Sequence, residues 1–121
     1  MLALLLGLLL VEGLLRLAQV SYPAFDRPLP GLRQWGIPDA EGWFVGETRT
    51  WVKLNAQGAR DVDHAIAKPA DTLRIVVVGD SYADAFEVAR EQAFWAVAER
   101  LLGECPALAG RSVEMINLGL R

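Results

Sequence analysis

The sequence predicts an α/β fold: one strand-helix-strand unit that begins a parallel sheet, preceded by a membrane helix and a short β-hairpin. Three observations point there. Ile75-Val76-Val77-Val78 puts four β-branched residues in a row before Gly79-Asp80-Ser81, and a run without polar alternation fits a strand covered on both faces. Glu91 to Leu102 then carries Phe94, Val97, Ala98, Leu101 and Leu102 at spacings of three and four, the apolar stripe of a helix. Val113, Met115 and Ile116 lead into Asn117-Leu118-Gly119 as a second strand. A strand, a helix and a strand in that order join two parallel strands by a right-handed crossover.

Composition sets the outer limits. With 121 residues, 53% hydrophobic and 22% charged, the chain reads as one globular unit behind an apolar amino terminus. A net charge of -3 leaves no surplus of Lys and Arg, which excludes a phosphate-binding surface and with it nucleic acid as a partner. The one cysteine, Cys105, has no internal disulfide partner, and the one histidine, His64, excludes a multi-histidine metal site. No cofactor is expected.

Met1 to Val11 is unbroken apolar sequence, resumed after Glu12 and Gly13 through Leu14, Leu15, Leu17, Ala18 and Val20. About 20 apolar residues span a bilayer, and Glu12 and Arg16 stand four apart, close enough to pair on one helix face. Residues 1–20 therefore read as a membrane anchor. A cleaved signal peptide and a buried core helix are the alternatives; the first lacks a basic start and a small-residue cleavage site.

Residues 21–70 read as a connector leaving the membrane, with a β-hairpin in it; the side of the membrane is not fixed by the flanking Arg16, Arg27 and Arg33. Pro23, Pro28, Pro30 and Pro38 forbid a long helix. Gly42-Trp43-Phe44-Val45-Gly46 and Thr48 to Leu54 read as two short strands of a hairpin. Trp35, Trp43 and Trp51 recur every eight residues; packing of the hairpin on the main domain is the favoured reading, and a sugar-stacking platform the sharper one. Asp61 and His64 have the spacing of a carboxylate that orients an imidazole. They lie in a polar connector ahead of the central strand, so no chemistry is assigned to His64.

Residues 71–121 hold the strand-helix-strand unit. Gly103 is placed to end the helix and Pro106 to prevent its continuation. Ser81 stands at the carboxyl end of the first strand, the side of an open α/β sheet where ligands bind, and is well sited as a nucleophile. Capping of the next helix by Asp80 and Ser81 is the structural alternative. Two parallel strands and one helix cannot cover both faces of a sheet. The unit is thus expected to be the front portion of a larger protein or to take missing layers from a partner.

The segment Ile75 to Ser81, with the helix and Asn117-Leu118-Gly119 behind it, resembles the SGNH hydrolases, or GDSL esterases. The likeness is greatest to membrane-anchored bacterial members, in which an Asn-x-x-Gly-x-Arg turn, matched by Asn55, Gly58 and Arg60, precedes the first strand. It covers roughly Asn55 to Arg121. It implies a flavodoxin-like parallel sheet, Ser81 as nucleophile with its backbone N–H in the oxyanion hole, and Asp80 beside it in a positioning role. It also implies attack of Ser81 on ester-linked acyl groups, including those of cell-surface polysaccharide, by an esterase or O-acyltransferase held at the membrane with its catalytic part periplasmic or extracellular. The second-block glycine, third-block asparagine and late Asp-x-x-His are not matched, and Gly119 is not the oxyanion glycine. Asp84-Ala85 replaces the glycine that many members carry after the serine. The isolated chain is therefore expected to be inactive. Two other classes remain open: metal-assisted phosphoryl chemistry at Asp80 and Asp84, and a non-catalytic glycan-binding or surface protein.

Overall fold

A computed structural model of the chain describes residues 1–18 and 24–121. The elements in order are α1 (Leu2–Leu17), β1 (Asp26–Leu29), β2 (Leu32–Gly36), β3 (Glu41–Val45), β4 (Arg49–Lys53), β5 (Thr72–Gly79), α2 (Ser81–Asp84), α3 (Phe94–Gly103) and β6 (Ser112–Gly119). Among the described residues they form three separate two-stranded sheets: β1 with β2 and β3 with β4, both antiparallel, and β5 with β6, parallel.

This corrects the expected fold class. A flavodoxin-like sheet behind a membrane helix is not what the described residues make; they make a small mixed structure of three short sheets. The 16 residues of α1 reach about 24 Å at 1.5 Å each, short of the roughly 30 Å of a hydrocarbon core. No helix among the described residues is long and apolar enough to cross a membrane. Glu12 and Arg16 do pair, at 2.7 Å and well exposed. Gln19 and Val20 of the expected anchor, and Pro23 of the connector, lie outside the described residues.

The Pro-rich connector is not uniformly extended: it contains the β1–β2 hairpin, closed over Pro30-Gly31. Its register slips between Arg27 and Leu29, at Pro28, which has no N–H to give the ladder. The second hairpin pairs Trp43 with Trp51 and Gly42 with Val52. Along β4 Thr50 and Val52 are buried while Arg49, Trp51 and Lys53 are exposed, the period-two alternation of a half-buried strand. Val52 and Leu54 pack with Phe25 and Phe86 as one core.

The second core lies between α3 and the parallel pair, where Trp95, Ala93 and Met115 are buried against Ile75, Val77, Ala98 and Leu102. Two expectations change here. β5 is not covered on both faces: Ile75 and Val77 turn toward α3, while Val76 and Val78 are 52% and 78% exposed, because one helix covers one face of a two-stranded sheet. The helix stripe is also rotated. Trp95, not Phe94, is its anchor, and Phe94 and Leu101 are exposed. The Trp95 indole N–H donates to the Ala83 carbonyl at 2.9 Å, and a buried indole gains from such a partner.

The free edge of β6 is closed by side chains. The N–H groups of Met115, Asn117 and Gly119 donate to Glu99 at 2.6 Å, Asp61 at 2.9 Å and the Asn117 side-chain oxygen at 3.0 Å.

Candidate functional site

The carboxyl ends of β5 and β6 meet at Gly79, paired with Gly119, and α2 sits directly against them. A Cβ built on Gly119 would fall 2.3 Å from the Asp84 backbone nitrogen, and one on Gly79 2.8 Å from the Ala83 Cβ. Only glycine permits so close an approach of helix to strand ends. The turn from β5 into α2 is set by Asp80, whose carboxylate accepts from the Tyr82 N–H at 3.0 Å, an N-cap. Ser81 follows at the first helical position and is exposed. Among the described residues neither its hydroxyl nor its backbone N–H has a hydrogen-bond partner, whereas its carbonyl accepts from Ala85. Asp80 thus caps the helix, as the structural alternative held, and by doing so it fixes where the neighbouring hydroxyl stands.

Behind α2 lies the Asn55-x-x-Gly58-x-Arg60 turn. The Asn55 side-chain oxygen accepts from the N–H groups of Gln57 and Ala59 at 3.0 and 2.9 Å, and its amide donates to the Val62 carbonyl. Gly58 has φ of 84° and lies against the Gly36 carbonyl, so it serves both conformation and close approach. Held by this turn, the buried Arg60 guanidinium donates to the carbonyls of Asp84, Ala85 and Val88 and stands 5.2 Å from the Phe86 ring centroid. It ties down the segment that leaves the Ser81 turn. Burial lowers its pKa to about 10, against the pull of Asp84, so it remains a cation at neutral pH.

The Asp61 and His64 spacing does bring the two together: His64 Nε2 lies 3.1 Å from an Asp61 carboxylate oxygen. That carboxylate is fully buried and also receives the Arg90 guanidinium at 3.1 Å and the Val62 and Asn117 N–H groups. Asn117, 1% exposed, donates its side-chain amide to the Arg60 carbonyl at 3.2 Å. His64 is therefore a member of a structural knot and not a partner of Ser81.

Asp84 is likewise engaged. Its carboxylate pairs with Arg121 at 2.8 Å, and Arg121 reaches Asp26 at 2.8 Å. The Arg121 guanidinium lies 3.6 Å from the Phe86 centroid, with Phe44 and Phe25 beyond it. Burial raises the Asp84 carboxyl to about 7 although Arg121 opposes the shift. Asp80 and Asp84 thus serve a backbone N–H and an arginine, and they do not converge. Nothing local in the sequence marks Arg121, whose carboxylate partners lie 95 and 37 positions earlier.

A cleft of about 670 Å³ lies elsewhere: Trp51, Lys53 and Asp39 meet Arg60, Asp61 and Glu91 around it, and Ser81 does not line it. Of the three regularly spaced tryptophans, Trp35 donates its N–H to the Gln57 carbonyl and Trp43 meets Trp51 edge to face at 5.4 Å. They do not form one platform. No family model, no curated protein and no solved structure matches this chain.

Proposed function

We propose that this chain carries the nucleophile segment of a serine esterase or O-acyltransferase acting on ester-linked acyl groups. The reading is supported by one observation above all: Ser81 is an exposed hydroxyl at the tip of a strand, on a turn fixed by the Asp80 cap and by glycine contacts, with its own backbone N–H unpartnered.

Ser81 Oγ attacks the acyl carbonyl carbon and gives up its proton to a base. The tetrahedral oxyanion then collapses, the bond to the alcohol oxygen breaks, and the acyl group stays on Ser81 until water or a sugar hydroxyl takes it. A backbone N–H aimed at the developing oxyanion contributes about 3 to 4 kcal/mol in such chemistry, and the Ser81 N–H is the candidate donor. His64 is bound to Asp61, so the base comes from outside this set of contacts. An unassisted serine hydroxyl is a weak nucleophile, and the chain by itself is expected to be inactive.

Treatment of the purified chain with a fluorophosphonate, with and without added imidazole as a free base, tests the reading. Peptide mass mapping should find the phosphonyl adduct on Ser81 when imidazole is present, little or none without it, and none in Ser81→Ala. Equal labelling of Ser81→Ala, or no adduct on Ser81 even with imidazole, removes the proposal.

A further inference from the structure

The cleft around Trp51 has a lining that selects by chemistry. Its carboxylates are Asp39, Asp61, Asp63 and Glu91, and its cations are Lys53, Arg60 and Arg90. Several are already committed: Asp61 to Arg90 at 3.1 Å, Arg60 to three carbonyls, and one oxygen of Asp63 to the Ala56 N–H at 2.9 Å. Among the described residues no hydrogen bond or ion pair occupies the carboxylates of Asp39 and Glu91, and Lys53 has only a loose contact to Glu41 at 4.0 Å. The cleft therefore offers uncommitted acceptors and a donor with nearly balanced charge. A phosphate or other anion finds no excess of cations here, and a wholly apolar ligand would strand these groups without partners.

Beside them stands the Trp51 indole, 47% exposed on the outward side of β4 and braced edge to face by Trp43 at 82°. A braced ring offers apolar area at little entropic cost. An uncharged ligand with an apolar face and a rim of hydroxyls matches both features, and the cleft volume of about 670 Å³ falls within the range for small-molecule sites.

We propose that this cleft is a carbohydrate subsite, with the sugar ring on Trp51 and its hydroxyls shared between Asp39, Glu91 and Lys53. The proposal goes beyond the serine chemistry and stands without it, since none of these groups touches Ser81.

Titration of the full chain with cellotetraose and with tetra-N-acetylchitotetraose, followed at the tryptophan indole N–H signals, provides the test. The Trp51 signal should shift saturably with a Kd on the order of 1 mM, while that of Trp35 stays still. Trp51→Ala and Glu91→Gln should each weaken binding about tenfold; because Glu91 is exposed, its variant decides the matter if Trp51→Ala fails to fold. Binding should persist in Ser81→Ala, so loss of the sugar site and loss of serine labelling are separate results. A still Trp51 signal with both sugars, unchanged binding in the variants, or a shift that follows protein concentration without sugar overturns the subsite; the last would mark self-association of this face.

Discussion

Asp61 and Ser81 are both polar residues beside the carboxyl ends of the parallel pair, yet they stand at opposite extremes. The Asp61 side chain is 0% exposed and answers to Arg90, His64 and two backbone N–H groups. Ser81 is exposed, and its hydroxyl answers to nothing among the described residues. A buried carboxylate is tolerated only when its acceptor positions are filled, so every contact that stabilises Asp61 also withdraws it, and His64 with it, from chemistry. Ser81 is left without a partner because the surrounding rigidity is supplied by others: Asp80 at the cap, the glycines beneath, and Arg60 behind.

The largest effect should come from breaking the satisfied side of this pair. Asp61→Ala leaves Arg90 and the Asn117 N–H without their acceptor, and loss of one partner in such a buried set costs about 3–5 kcal/mol; urea unfolding should show the midpoint falling accordingly. Next is the pH dependence of Asp84. Its carboxyl is raised from 3.8 to about 7 by burial, so between those values the folded state holds more protons than the unfolded state. Stability should fall as pH rises through that window, by no more than about 4 kcal/mol, and Asp84→Asn should lack the slope. A rise of wild-type stability with pH relative to Asp84→Asn would contradict this.

Smaller is Gly119→Ala, where the added methyl meets the Asp84 nitrogen at 2.3 Å. Displacement of α2 should cost about 1–3 kcal/mol and lower fluorophosphonate capture at Ser81 by more than the loss of folded protein explains. The smallest is Ser81→Ala, expected to change stability by less than about 0.5 kcal/mol while abolishing capture. A large destabilisation there would make Ser81 a structural residue like Asp61 and dissolve the contrast.

What could be read from the sequence follows the range of the forces involved. The run Ile75 to Val78 and the Thr48 to Leu54 alternation are local patterns, and strands stand at both places. The β1–β2 hairpin escaped because Pro28 sits inside a four-residue strand, although Pro30-Gly31 is itself a turn signal. The apolar pattern alone places the inward face of α3 one position off, because Phe94 and Trp95 are equally apolar by pattern; the Ala83 carbonyl, twelve residues away, decides which turns inward. Ser81 and Asp80 were legible as a strand-end motif. The partners of Asp84 were not, since Arg121 reaches it only through the folded chain. The anchor reading gave weight to apolar character along 1–20, while the described helix ends at Leu17.

The edge of β6 has one more consequence. Three successive outward N–H groups, at Met115, Asn117 and Gly119, are already occupied by side-chain oxygens. A passing strand in search of a template finds its first donors taken, so this flank resists recruitment into runaway intermolecular stacking. The same Asp61 and Asn117 that hold the Arg60 turn in place thus also guard the molecule against polymerising along that side.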